Sequence, residues 1–582
     1  MRQTSLSILA ILLCFGLTAH TLSAQAEVFP QGAIASDNAL ASQVGADVLA
    51  RGGNAVDAAV ATALTLGVVN PFASGLGGGG FAMIYHKESN TLTALDFRET
   101  APQNVRTEDY APGGEHDPML SRTQGLAVGV PGELAGLVAM HERFGKLPWH
   151  SLVAPAQRIA QRGFPAHELM IGRVEILRQR ADDFDATMNA LYQIDGPLQE
   201  GVRVRRPKLA RALELLERSP IERFYRGTIA KDIAQSVQKA EGKLTEDDLQ
   251  NYQVVWRTPH PLRFRGYDFA LFPLPSSSAI IFDLTLRGYA ALQRNAGAPE
   301  EQSPFHSAET LHRFLHAMTW GFAIRAEDLG DPDFTDIDVE RLYSQETIDK
   351  IVRTFDPKKR QPAKAFSHAK QLPDDSGTTH FSVMDADGNA VAFTSTVNTI
   401  YGSQVVSERY GILLNNEMDD FATAPMQPNA FGLVGLEANA VRPGARPLSS
   451  MSPTLVFKDG EVVASLGGSG GPRIITATIQ TLINLMDGIP TEDAISSERI
   501  HHQWLPETIE LEGSLEERFA KALAKKKYQF APNRWRADVQ AIWKRENGWD
   551  AGSDTSKGGK PAGVRFKNRQ NVDRVEHSVP HP

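Results

Sequence analysis

Cysteine is almost missing from the 582 residues of this chain. The single one, Cys14, lies in an N-terminal apolar run behind Leu13, where a lipoprotein signal needs a small residue, so lipidation is not expected there. The run belongs to MRQTSLSILAILLCFGLTAHTLSAQA, in which Arg2, the apolar stretch from Leu6 to Leu17 and the small residues that follow form the pattern of a secretory signal peptide over residues 1–26. Cleavage after Ala26 makes Glu27 the first mature residue, and cleavage after Ala24 fits nearly as well. The remainder then has no cysteine at all, which excludes disulfides and thiolate metal sites; no metal and no cofactor is expected. Long apolar runs are also lacking. Beyond the leader the best is Ala55 to Val69, too short to span a bilayer and interrupted by Asp57, so the mature chain is expected to be soluble and periplasmic or secreted.

Positive charge is scarce. The net charge is -9, and KKR at 358–360 and KKK at 525–527 are short enough to read as solvated faces, which argues against a nucleic-acid surface. There is no internal repeat and no compact Ser/His/Asp signature. The glycine run NPFASGLGGGGF at 70–81 lacks the Lys and Ser/Thr of a phosphate-binding loop, so it reads as a place where backbones approach closely. What is present is ordinary globular composition, 42% hydrophobic and 22% charged.

Residues 34–69 read as two helices, the first capped by Ser36 or Asp37 and stopped by Gly52 and Gly53. Strand-like FAMIYH and TLTALDFRETAP follow, the latter placing Arg98 near a strand end. Helical patterns cover 128–164, 207–218 and 305–329, and GYDFALFPLPSSSAIIF at 266–282 reads as a strand, a Pro-rich turn and a buried segment. From about Asp338 to Gly377 the composition turns polar and ends in KQLPDDSG, a linker that can be cut without tearing a core. Further on, two short strands meet at Asp459 and Gly460, a helix runs from about Ile474 to Met486, and Ser514 with Glu517 forms a capping box.

The stretch Gly377 to Asn398 reads as a β-hairpin. With a three-residue loop of Ala386, Asp387 and Gly388, the turn sets Asp385 opposite Asn389 and Thr378 opposite Thr396. A threonine hydroxyl needs a base, and a threonine that becomes an N-terminus carries one in its own α-amine. That amine has a reference pKa of about 7.7–8.0, close to working pH. Cleavage at Gly377–Thr378 therefore suits a secreted enzyme without cysteine. The same spacing is met by a plain Thr–Thr cross-strand pair worth roughly a few tenths of a kcal/mol. GGSGGP at 467–472 enters a helix, where the N–H groups of Gly470 and Gly471 can form an oxyanion hole or simply a tight turn. Arg98 with Ser449 and Ser450 can bind a carboxylate and Glu417 with Asp420 an ammonium, although acidic clusters usually just face water.

GGNAVDAAVA at 52–61, GGGGF at 77–81, DFRETAP at 96–102, GVPG at 129–132, TTHFSVMDADGNAV at 378–391, GILLNNEMDDF at 411–421, RPLSSMSPT at 446–454, GGSGGPRIIT at 467–476 and HHQWLP at 501–506 stand in one order. Together they resemble the γ-glutamyltransferase (γ-glutamyltranspeptidase) family of N-terminal nucleophile hydrolases, over nearly the whole mature chain. The resemblance implies an α+β fold, a four-layer αββα sandwich shared by a large subunit at 27–377 and a small one at 378–582. It implies autoprocessing at Gly377–Thr378 and cleavage of glutathione or related γ-glutamyl amides, with transfer to water, amino acids or peptides. Thr378 would be the nucleophile and Thr396 its partner. Arg98, Ser449 and Ser450 would hold the donor carboxylate, Asn398, Glu417 and Asp420 its amino end, and Gly470 and Gly471 the oxyanion. A lid loop is implied at about 428–439. Phe431 stands where a lid tyrosine is common, and SSSA at 276–279 replaces a more usual SSGG. Two other readings remain: a cephalosporin (glutaryl) acylase on the same fold, and an unprocessed, catalytically silent binding homologue.

Overall fold

The structure is a computed structural model that describes residues 25–365, 377–532 and 536–565. The expected signal peptide through residue 24, the last part of the polar linker and the polar tail lie outside the described residues. The strands used below are β1 (Gln25–Phe29), β2 (Gly32–Ser36), β3 (Gly79–His86), β4 (Thr91–Phe97), β5 (Val255–Arg257), β6 (His260–Phe264), β7 (Tyr267–Leu271), β8 (Gly377–Asp385), β9 (Ala390–Asn398), β10 (Thr454–Lys458), β11 (Glu461–Ser469), β12 (Asp538–Arg545), β13 (Gly548–Ser553) and β14 (Ala562–Gly563). They form two seven-stranded sheets, in the orders β1-β13-β12-β11-β10-β7-β6 and β14-β2-β8-β9-β3-β4-β5.

Because alternate residues of a strand face opposite sides, each sheet presents one apolar surface to its partner and another to helices. Between the sheets, Phe81, Met83, Met384 and Ala392 meet Leu455, Ile542 and Ala551. The outer residues Ile84, Phe97, Phe381 and Phe393 pack in one core with helices α1 (Ala39–Ala50), α2 (Ala55–Val69) and α3 (Glu133–Phe144). On the opposite outside, Val456, Leu466, Val539 and Ala541 share a core with α4 (Ser278–Asn295), α5 (Ala308–Asp328) and α6 (Arg473–Met486). This is the expected αββα sandwich.

β8 and β9 are central strands, buried along their whole length. Their pairing follows the register read from the turn: Thr378 opposes Thr396 and Met384 opposes Ala390. Gly388 takes the left-handed conformation at φ +88°. Asp385 locks this turn, accepting from the N–H of Asp387 at 3.0 Å and of Asn389 at 2.9 Å, and its second oxygen accepts from Ala55 N–H at the start of α2. At the far end the register slips by a bulge between Gly377 and Thr378. The glycine run packs as tightly as its composition implies: a Cβ on Gly78 would stand 2.0 Å from the Thr396 carbonyl oxygen.

Two local expectations need correction. Residues 32–36 form β2 rather than the start of a helix, and α1 is capped by Asn38, whose Oδ1 accepts from Leu40 N–H at 2.9 Å. Ser36 and Asp37 are drawn inward instead, Asp37 toward Thr379 and Gln540. The helix Ser514–Lys525 has Gly513 at its cap position and no Ser514–Glu517 box; Glu498 reaches over to bond Ser514 N–H at 2.8 Å. A carboxylate from outside the helix has displaced the local partner.

Candidate active site

The β8–β9 hairpin brings Thr378 to the edge of the inter-sheet layer. Its Oγ1 lies 3.0 Å from Thr396 Oγ1, and Thr396 Oγ1 lies 3.0 Å from the carbonyl oxygen of Gly377 and accepts from Asn398 N–H at 2.8 Å. A hydroxyl has one proton and two acceptor sites. With Thr396 donating to Gly377, the Thr378 proton must point at Thr396. The arrangement is thus a directed chain from Thr378, through one hydroxyl, to the carbonyl beside it.

His380, on the same face of β8, is not part of this chain. It bonds Thr394 Oγ1 at 2.8 Å and Ser382 Oγ at 3.2 Å, and burial pushes its pKa down to about 3, so it is a neutral core imidazole.

Arg98, Thr396, Asn398, Glu417, Asp420, Ser449, Ser450 and Gly471 line one pocket with Thr378. β4 ends at Phe97 and so aims Arg98 into it. The guanidinium bonds Glu417, Asp420 Oδ2 at 2.6 Å and the Pro447 carbonyl at 3.2 Å. The sequence reading gave Arg98 to the serines and the acids to a separate ammonium pole; the structure joins the poles directly, because a buried guanidinium needs carboxylate partners. Burial opposes the charge of Arg98, but Glu417 and Asp420 raise its pKa, so it is charged. Burial in turn pushes the Glu417 carboxyl well up, against the pull of Arg98. Asn398 adopts φ +75° and donates its Nδ2 to the Asn416 carbonyl at 2.9 Å, leaving its Oδ1 side to the pocket.

Ser449 and Ser450 sit on a loop braced by the SSSA segment, whose role the sequence did not reveal. Ser276 Oγ donates to the Met451 carbonyl at 2.7 Å and Ser277 Oγ to the Ser449 carbonyl at 2.9 Å. Among the described residues, Ser450 Oγ and Glu417 Oε2 have no hydrogen-bond partner although both are buried. Unsatisfied polar atoms on two residues that line one pocket suit a small polar ligand.

The chain leaves β11 at Ser469, turns through Gly470 (φ +135°) and Gly471 (φ +57°), and enters α6 at Arg473. Gly471 lines the pocket, whereas Gly470, expected there with it, is not among the lining residues. Within the implied lid, Phe431 and Leu433 face the pocket, and Asn429 Nδ2 ties the segment to Asp420 Oδ1 at 2.9 Å. Phe431 is held through its carbonyl by Gln503 at 3.1 Å.

Several buried charges around the site carry no signal in the sequence. Glu99, next to Arg98, is driven by burial to a pKa of about 8, and Glu133, bonded to Ser395 and Gly75 N–H, to about 7. Arg325 on α5 lies near Asp420, its pKa lowered by burial to about 10.

The family model described as gamma-glutamyltranspeptidase matches residues 41–564. The glutathione hydrolase proenzyme of Escherichia coli (strain K12) is 40% identical over 486 residues, covering 83% of each chain. Among solved structures, cephalosporin acylase from Bacillus halodurans superposes with a TM-score of 0.79 at 24% identity, over 93% of this chain and 97% of that one, which is a likeness of fold. The gamma-glutamyltranspeptidase of Pseudomonas nitroreducens complexed with L-DON gives 0.52 at 33% identity, over 57% of this chain and 96% of that one.

Proposed function

The chain belongs to the gamma-glutamyltranspeptidase family, and from that premise we propose that it is a γ-glutamyltransferase and glutathione hydrolase made as a proenzyme. The observation that carries this reading is the hydroxyl chain from Thr378 through Thr396 to the Gly377 carbonyl, with both links at 3.0 Å.

In maturation, Thr378 Oγ1 attacks the Gly377 carbonyl carbon. Its proton passes to Thr396, which hands its own toward the carbonyl oxygen as negative charge develops there. As the intermediate collapses, that proton leaves the oxygen for the departing nitrogen, the C–N bond breaks and an ester remains on Thr378, which water hydrolyses to a Gly377 carboxylate beside the free threonine α-amine. The small subunit then begins at Thr378 and the large one ends at Gly377. The proenzyme designation of the Escherichia coli relative supports this step, as does the length of the Pseudomonas nitroreducens chain, matched over 96% by 57% of this one.

In turnover, the α-amine takes the Thr378 proton as the hydroxyl attacks the γ-carbonyl of the donor, and returns it to the leaving amine. The Gly471 and Gly470 amides hold the oxyanion. Arg98, Ser449 and Ser450 hold the donor α-carboxylate, and Asn398, Glu417 and Asp420 its α-ammonium. Water releases glutamate, or an amino acid or peptide takes the γ-glutamyl group. Among the described residues no helix is long and apolar enough to cross a membrane, and with the signal sequence we place the enzyme in the periplasm or outside the cell. β1 begins at Gln25, paired with Ser553, so a cut after Ala24 keeps that strand whole.

Denaturing electrophoresis and N-terminal sequencing test the proposal: two fragments, the smaller starting Thr-Thr-His-Phe, with hydrolysis of a γ-glutamyl anilide. A Thr378→Ala variant should stay in one piece and be inactive. An active uncleaved chain overturns the mechanism. A glutaryl donor lacks the amine that Glu417 and Asp420 are placed to receive, so glutaryl anilide should be a far poorer substrate.

A further inference from the structure

Next to Thr378, among residues that do not line the pocket, lies an ionic cluster that the reaction above leaves unused. Lys557 follows β13, at the end of the short turn Thr555–Lys557, and is 6% exposed. Its Nζ donates to the main-chain carbonyl of Thr378 at 2.8 Å and to Ser469 Oγ. Asp538 Oδ2 stands 3.2 Å away and Asp37 Oδ2 3.6 Å. A buried lysine is rare unless it is paired, and here the pairing is complete: its donors are shared between two neutral oxygens and two acids. The two neutral oxygens belong to different sheets. Thr378 is on β8, whereas Ser469 ends β11 and is bonded covalently to Gly470.

We propose that Lys557 is a positioning residue for the reaction, fixing the nucleophile against the oxyanion loop and, through its charge, keeping the Thr378 α-amine in its neutral, proton-accepting form. The second half rests on the N-terminal threonine assigned above. The amine nitrogen of a residue lies about 3 Å from its own carbonyl oxygen, so a protonated amine at Thr378 would face the Lys557 ammonium across one carbonyl. A like charge at that range lowers proton affinity. The acids behind it pull the other way: Asp37, which accepts from Thr379 Oγ1 at 2.7 Å, then Asp538 and Asp554. On the pocket side the facing charges are Arg98, Glu417 and Asp420. Burial raises the Asp37 pKa to about 6 even with Lys557 beside it. Removing the ammonium leaves these acids unopposed, and the Thr378 amine then holds its proton to higher pH.

Three variants separate the two roles: Lys557→Met, Lys557→Arg and Ser469→Ala, each purified as mature enzyme and assayed on γ-glutamyl anilide across pH. In Lys557→Met, kcat should fall about tenfold or more with KM little changed, since none of the side chains assigned to hold the donor is touched, and the acid limb of kcat/KM should move up by about one pH unit. Lys557→Arg keeps the charge and should restore the limb. Ser469→Ala keeps the charge too, so it should lower kcat without moving the limb. Wild-type kcat and limb in Lys557→Met overturn the proposal. If Lys557→Met does not mature, an unmoved kcat in Ser469→Ala overturns the positioning role, and a shifted limb in Lys557→Arg overturns the charge role. An active wild-type chain that is never cleaved removes the α-amine and refutes the premise instead.

Discussion

Arg98 Nη2 lies 2.6 Å from Asp420 Oδ2, with side chains 1% and 9% exposed. The cation and the anion that the proposed function assigns to the two poles of the donor therefore hold each other in place, and on that proposal the donor binds by exchanging that contact for one with each of them. Asp420→Ala leaves a buried guanidinium short of one partner, which costs about 3 kcal/mol where a second partner such as Glu417 remains. It should lower the melting temperature and raise KM for γ-glutamyl donors by at least about tenfold. Thermal melts and steady-state kinetics check both. An unchanged KM would remove Asp420 from the ammonium site.

At the cleavage site, a Cβ on Gly377 would stand 2.2 Å from the Thr399 carbonyl oxygen. Gly377→Ala should push the strand end away, lengthen the contact to Thr396 and leave uncleaved chain visible on a gel. Thr396→Val, which keeps the shape but loses the hydroxyl, should slow maturation by about a hundredfold or more, the range for one lost proton-transfer group. Thr396→Ser should mature.

Two buried carboxyls should withdraw stability as pH rises. Burial lifts the carboxyls of Glu99 to about 8 and Glu133 to about 7 from an ordinary 4.5. The folded state binds these protons more tightly than the unfolded chain, so the stabilisation is complete below about pH 4.5 and is lost as pH climbs through 7 and then 8. Buried histidines such as His380, lowered to about 3, act in the opposite sense below about pH 6.5, so the check compares melting temperatures of wild type and Glu99→Gln at stepped pH: the variant should gain on the wild type from pH 5 to 8, and a difference that stays constant would contradict the assignment.

Gly471 has φ +57°, and a Cβ there would lie 2.6 Å from the Phe431 ring. Gly471→Ala should therefore cost about a hundredfold in kcat by displacing the oxyanion amide. Adding Phe431→Ala removes the ring contact but not the backbone strain, so the double variant should recover only part of the loss. Full recovery would mean that Phe431, and not the backbone, sets the position of the loop.

How much of this was legible in the sequence depends on how locally each feature is specified. The hairpin register was readable because Asp385 to Asn389 encode their own turn, and Thr378 opposite Thr396 follows by counting. The sandwich came through the ordered motifs. The cap of α1 was misread because Ser36, Asp37 and Asn38 are all competent caps, and only the inward pull of Thr379 and Gln540 on Asp37 decides among them. The Arg98 contacts with Glu417 and Asp420 span more than 300 positions, as |i−j| of 319 and 322. Lys557 was invisible for the same reason: its partners come from β2's end, β8, β11 and β12, and nothing near position 557 announces a buried charge.

β8 lies between β2, from before the cleavage point, and β9, from after it, and in the other sheet a block of four strands from after the bond, β13 to β10, is flanked on both sides by strands from before it. Once that bond is cut, the pieces stay interleaved, but the fold has changed kinetic order. The precursor reaches it as a single molecule. A mature enzyme that has been melted must bring two chains together to regain it, so its recovery depends on concentration and competes with aggregation, and the scission makes folding a journey taken once.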